Sequence, residues 1–188
     1  LIVGVYRLLP ISTAYASKTM CSCVYLGDRD PESVRNLELE NFPYNLSTTE
    51  IDTVNHIVTS SVAGLQPKSA IYREGTGCTV ISETDAKTLQ ANRVQPMRIK
   101  TRSLDSTQMY WPMGDIDTLA MPEGINQELL DIAVDSAFLP NKEGNPNTRG
   151  IVVVHKGKIV AERYAEGVTA DMRQRGWSMT KSVTNALI

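Results

Sequence analysis

Between Gly150 and Tyr164 the chain has little conformational choice. Gly150-Ile151-Val152-Val153-Val154 is a β-branched run, Lys156-Gly157-Lys158 is a tight-turn signal, and Ile159 to Tyr164 is a second strand-forming run. Branching at Cβ suits a side chain to a pleated surface, and the unbroken apolar stretch predicts a first strand buried on both faces. A turn this short returns the chain antiparallel.

The flanking segments extend the pattern. Ile125, Leu129, Ile132, Ala133, Ser136 and Ala137 fall near helical spacing, so an amphipathic helix is expected from about Ile125 to about Phe138, ending before Pro140. A loop rich in Asn, Gly and Pro, Asn141 to Asn147, leads to the hairpin; Ala165 to Gly176 forms a second loop, and a new helix begins near Ser178. Helix, hairpin, loop and helix make an α/β (α+β) order with antiparallel strands.

Upstream, short apolar runs alternate with turn signals from about Ser17 to about Val94. Met20 to Leu26 reads as a strand stopped by Gly27-Asp28, and Asp30-Pro31-Glu32-Ser33 as a helix start with Pro at its first position. Ala70 to Tyr72 and Cys78 to Ile81 read as strands around Glu74-Gly75-Thr76-Gly77, whose Gly-x-Gly lacks the third glycine and following helix of a dinucleotide site and is taken as a turn. From about Gln95 to Gly124 the chain is polar, rich in Pro and Met, and expected to be a connector on the surface of the part that follows.

The chain starts at Leu1 inside an apolar run reaching Ile11 and stops at Ile188 inside an apolar-periodic segment without a cap, Gly or Pro, which predicts a portion of a longer domain. Leu1 to Ile11 is too short to span a bilayer, which needs about 20 apolar residues. Two readings stand: residues 1–16 as a remnant of a signal peptide or N-terminal membrane anchor, with Ala14-Tyr15-Ala16 as a cleavage-like site, or an ordinary buried helix or strand.

Cys21, Cys23 and Cys78 also leave two readings. In a strand, Cys21 and Cys23 point to opposite faces and only one reaches Cys78 easily, giving one disulfide and one further thiol; otherwise all three are buried as small hydrophobes. Zinc ligation has no second ligand pair, the only histidines being His56 and His155. A net charge of −2 without long runs of one sign offers no support for a nucleic-acid or anionic-membrane partner.

Chemistry concentrates in Trp177-Ser178-Met179-Thr180-Lys181-Ser182. Ser178 is the only serine with Lys at i+3, a spacing that puts hydroxyl and amine on one face of a helix. A serine needs an adjacent base to attack a carbonyl, and a lysine can act as one only where burial or a nearby cation favours its neutral form. Trp177, Met179 and Val183 are the expected source of that burial. The competing reading makes Ser178 an N-cap and Lys181 a solvated first-turn residue, where its charge opposes the helix dipole. His155 beside the hairpin turn is expected to be structural, and Asp115 and Asp117 to be solvated loop charges.

The hairpin from Gly150 to Tyr164, followed by Gly176-Trp177-Ser178-Met179-Thr180-Lys181-Ser182, resembles the β-lactamase-related serine hydrolases, in the branch of class C β-lactamases, esterases and 6-aminohexanoate-dimer hydrolases. More weakly, Cys21-Ser22-Cys23-Val24 and Tyr72 to Thr79 resemble the N-terminal extension of exported members. The resemblance implies a three-layer β-lactamase/transpeptidase-like fold, here incomplete, with an extension over 17–109 and the first part of the hydrolase domain over 110–188. It implies Ser178 as the acylated residue, its backbone N–H as one oxyanion donor and Lys181 as proton acceptor. The substrate would be a small molecule or peptide with an ester, amide or lactam carbonyl, without metal or organic cofactor, in a periplasmic or other extracytoplasmic setting. The family's Tyr-x-Asn and Lys-Thr-Gly or His-x-Gly elements lie well downstream of the nucleophile, and the sequence stops first. The alternatives are a non-catalytic module binding a cell-wall peptide or a partner on the same scaffold, and an inactive fragment of the enzyme.

Overall fold

The computed structural model describes residues 2–91, 105–116, 121–140, 142, 144 and 146–188, and for residues 2–7 the backbone alone. The protein is a mixed α+β structure with antiparallel sheets, divided into two compact units: Leu1–Arg98 together with Arg173–Ile188, and Ile99–Met172.

In the first unit a long helix, α1 (Ile2–Tyr25), packs on a four-stranded antiparallel meander. Its strands are β1 (Thr48–Asp52), β2 (Ile57–Val62), β3 (Leu65–Arg73) and β4 (Gly77–Val80). Between α1 and β1 runs α2 (Pro31–Glu38), capped by Asp30, whose carboxylate accepts from the Ser33 N–H at 2.8 Å; α3 (Ala86–Ala91) follows β4. Ala16, Met20, Cys21 and Cys23 of α1 meet Val34, Leu39, Val58, Ala70 and Cys78 in the core.

The strand expected at Met20 to Leu26 is the end of α1. The buried positions Ser12, Thr13, Ala16, Ser17, Met20 and Cys21 recur at helical spacing. Their hydroxyls stay satisfied inside the core: Thr13 donates to the Gln66 carbonyl at 2.7 Å, and Ser17 to the Ala14 carbonyl at 3.0 Å. Gly27 ends the helix as expected of a stop signal, because a Cβ there would sit 2.5 Å from the Cys23 carbonyl oxygen. Ala14-Tyr15-Ala16 therefore lies within a folded helix, with Ala16 fully buried. Among the described residues no helix is long and apolar enough to cross a membrane.

Of the two cysteine readings, the structure contains the disulfide: Cys21 of α1 is bonded to Cys78 of β4, and Cys23 is buried outside it. The bond ties the helix to the sheet's last strand across 57 residues of sequence.

The second unit contains α4 (Gln127–Ser136) and the hairpin of β5 (Gly150–His155) and β6 (Lys158–Tyr164). Asn126 caps α4 by accepting from the Leu129 N–H at 3.0 Å, so the helix starts two residues later than Ile125. Lys156 and Gly157 both take positive φ, which turns the hairpin tightly. Arg163 of β6 pairs with Asp135 of α4 and lies over the Phe138 ring. Burial of β5 on both faces is not found: Val152 and Val154 are 49% and 47% exposed, because a sheet of two strands, touched by α4 through β6, leaves β5 uncovered. Of the expected connector, residues 95–104 and 117–120 lie outside those described; elsewhere it holds a short 3-10 turn, Ser106–Gln108, and a bridge between Tyr110 and Ile116.

Arg173–Ile188, with the Ser178 segment, belongs to the first unit, since Arg173 donates to the Leu26 carbonyl at 2.6 Å and Arg175 pairs with Glu38.

Replacing Cys21 and Cys78 together by Ala should lower stability by about 4 kcal/mol, the loop-entropy contribution for a closed loop of this size. Urea unfolding of the variant against the oxidised parent measures it.

Candidate active site

A helix, α5 (Met179–Leu187), begins directly after Ser178, as the serine–lysine spacing requires. The N–H groups of Met179, Thr180 and Lys181 bond to the carbonyls of Gly176, Trp177 and Ser178 at 2.8, 3.2 and 3.0 Å, which forms the first turn. Thr180 adds its hydroxyl to the Trp177 carbonyl at 2.5 Å. Ser178 occupies the cap position in helical conformation, and its side chain makes no capping bond. Its Oγ instead accepts from the Lys181 Nζ at 3.3 Å. The local geometry thus differs from the N-cap reading and joins the hydroxyl to the amine.

The surroundings differ from expectation. Trp177, Met179 and Val183 are each about two-thirds exposed, and Ser178 and Lys181 are themselves exposed. No side chain of the described residues withdraws the pair from water. The apolar positions Met179, Val183 and Leu187 fall at i, i+4 and i+8, so α5 carries an apolar stripe that nothing described covers.

The segment before Ser178 is, by contrast, well held. Arg175 places its Nη1 3.5 Å from Glu38 Oε2 and donates to the Tyr15 hydroxyl at 3.3 Å. Glu38 also pairs with Arg29 at 2.5 Å, both side chains being almost fully buried (6% and 2% exposed). Lys18, on the same side of α1, donates to Ser22 at 2.8 Å. Burial, and then the charge of Arg175, hold the Lys18 amine below its ordinary value of 10.5, against a smaller opposing pull from Cys23.

No family model, curated protein or solved structure matches this chain. The chemistry must therefore be argued from the side chains themselves. Among the described residues no group of three or more His, Cys, Asp or Glu could hold a metal ion. Asp115 accepts from the Ser106 hydroxyl at 2.6 Å in an exposed turn, and Asp117 lies outside the described residues. His155 ends β5 in the second unit, where Lys158 is its register partner. His56 packs against the rings of Tyr25 and Tyr72, beside a cleft of about 420 Å³ that also meets Arg73, Glu74 and Gln90 and, among the described residues, is lined by no Ser, Thr, Cys or Lys.

Sequence reasoning pointed to Ser178 and Lys181, which the structure brings into contact, and did not point to Tyr15, Glu38 and Arg175, which hold the segment before them. Nothing local marks these three, because their partners lie in distant parts of the chain. The double arginine spacing of Arg173 and Arg175 before the helix was the available signal.

The lowered Lys18 value has a consequence for stability. Between that value and 10.5 the unfolded chain binds more protons than the folded one, so stability rises with pH across this window; below it, both states are charged and the penalty persists. Lys18→Gln should remove this rise, which urea unfolding of parent and variant through the alkaline window would measure.

Proposed function

We propose that the protein is a serine hydrolase that works through an acyl-enzyme, with Ser178 as nucleophile and Lys181 as proton acceptor. The observation that carries this reading is the 3.3 Å contact between the two side chains at the start of a helix. On this reading the hairpin of β5 and β6 is the first strand pair of a β-lactamase/transpeptidase-like sheet, and α5 is the start of its nucleophile helix.

The steps follow from the two groups. As Ser178 Oγ bonds to an ester, amide or lactam carbonyl carbon, the neutral Lys181 amine takes the hydroxyl proton. The oxyanion is met by backbone N–H groups, for which the N–H of Ser178 at the helix start is one candidate. Collapse breaks the bond to the leaving group, which receives the proton. Water then attacks the acyl ester, Lys181 accepting its proton and returning it to Ser178 Oγ as the Oγ–acyl bond breaks and the acid leaves. Neither a metal nor an organic cofactor is required by this sequence of steps.

Two requirements are not met by the described residues: a water-poor setting for the amine and a second oxyanion donor. The uncovered stripe of α5 and the uncovered face of β5 are where further elements would supply them. That exposure also favours the second reading, in which these 188 residues by themselves are catalytically silent. A binding module without chemistry is distinguished from the enzyme by the lack of a covalent adduct.

In the complete gene product, a fluorophosphonate or fluorescent penicillin should label Ser178. Ser178→Ala should abolish the label, and Lys181→Ala should slow it by about 10²- to 10⁴-fold, the range for loss of a general base. Peptide mapping of the adduct decides the site. No adduct in the complete product would leave binding alone, and rapid labelling of the 188-residue chain would show that α5 needs no cover.

A further inference from the structure

We infer that contacts from α1 and α2 position the nucleophile: Glu38 and Tyr15, with Arg175, form a clamp on the residues leading into α5, and Ser178 points where that clamp directs it. The inference rests on the acyl-enzyme reading for its catalytic consequence, while the clamp itself rests on geometry alone.

From Ser178 to Ile188 every side chain is exposed, so packing along α5 does not orient the helix. The contacts that do so lie just upstream. Arg173 is tied to the Leu26 carbonyl at the end of α1. Arg175 reaches the buried Glu38 carboxylate, and its guanidinium carbon lies 4.5 Å from the centroid of Trp177 and 5.3 Å from that of Tyr15. A guanidinium at this distance is attracted to both ring faces while its N–H groups remain available to the carboxylate and the hydroxyl.

The Trp177 ring is stacked toward Tyr15 at 6.0 Å, and Tyr15 is stacked on Tyr44 at 4.1 Å. Trp177 has a φ of +42°, a left-handed conformation that a bulky residue adopts only where its surroundings hold it. Its carbonyl receives both the N–H and the hydroxyl of Thr180. The residue that is gripped is thus also the one whose carbonyl builds the turn carrying Ser178 and Lys181, so releasing the ring reorients the pair.

Glu38 is the fixed end of the clamp. Arg29 holds it from the other side in a nearly dry setting, where a pair keeps a defined geometry and salt screens it little. No atom of the clamp need touch a substrate, so Glu38, Tyr15 and Arg175 are positioning residues. A function for residues far upstream of Ser178 follows: Tyr15 and Glu38 are part of the apparatus of acylation although neither is a reacting group.

The test uses the complete gene product with Arg175→Ala, Tyr15→Ala and Tyr15→Phe, and reads two quantities. Hydrogen exchange at the amides of Met179, Thr180 and Lys181 should quicken by about ten-fold or more in the two alanine variants, with β2 and β3 keeping their protection, as expected of local release without unfolding. The maximal acylation rate of Ser178 by the probe should fall by about 10²-fold, the effect of a small misplacement, while the probe's dissociation constant changes less than two-fold. Tyr15→Phe, which keeps the ring, should recover most of the loss that Tyr15→Ala causes. Unchanged exchange at these three amides overturns the clamp, and unchanged acylation in a parent that does acylate overturns its catalytic role. A parent that shows no adduct defeats the hydrolase reading instead, and exchange still decides the clamp.

Discussion

The carboxylate of Glu38 is shared by two guanidiniums that arrive from distant parts of the chain. Arg29 comes from the turn after α1, Glu38 is the last residue of α2, and Arg175 belongs to the lead-in to α5. A carboxylate this far from water is tolerated only when its charge is matched, and breaking such a pair typically costs about 3–5 kcal/mol because the remaining charge is stranded. The turn at Gly27, the angle of α2 and the attachment of the last sixteen residues are thereby coupled to one another. The disulfide between Cys21 and Cys78 and the packing of α1 on β3 make the platform on which this pairing stands.

Burial is unevenly distributed. α1, α2 and the meander enclose a continuous core, whereas α5, β5 and much of α4 keep apolar side chains in water. An isolated helix of nine residues is marginal in water, and so is an isolated hairpin. The stripes of Met179, Val183 and Leu187, and of Val152 and Val154, are well formed as faces and differ from interior ones only in lacking a partner. Local propensity and, in α4, the Asn126 cap therefore account for most of these elements, and full burial is found at Val134 of α4.

The same distinction explains what was legible in the sequence. Signals with a short-range cause were accurate: the Asp30-Pro31 helix start, the Gly27 stop, the turns at Gly75 and Lys156-Gly157, and the serine–lysine spacing at α5. The reading of α1 failed because its buried face is made of Ser12, Thr13, Ala16 and Ser17, small or hydroxyl-bearing residues that do not stand out as apolar; each hydroxyl finds a nearby carbonyl, so burial carries no penalty. β1 and β2 went unread for a related reason. Across the backbone ladder their side chains meet through hydroxyls, Thr49 of β1 with Ser60 of β2 and Thr59 of β2 with Ser69 of β3, so a clean alternation of apolar with polar residues is lacking. The contact of Arg175 with Glu38 is a product of the whole fold, so no window of sequence contains it.

A serine one turn ahead of a lysine is common chemistry for a helix start, and the distance between the two side chains does not separate a nucleophile from a solvated pair. Two further conditions do: the pair must be aimed, and it must be dry. In this protein the conditions have separate structural sources. On the acyl-enzyme reading, aim comes from upstream, through a buried carboxylate and a ring held at positive φ, and dryness would need a cover over the stripe of α5. A nucleophile arranged in this way would be oriented by its lead-in segment whether or not a pocket closed over it. On that reading the arrangement is physically useful, because the helix start can then serve as the template against which further walls pack, and the step that excludes water is also the one that favours the neutral amine.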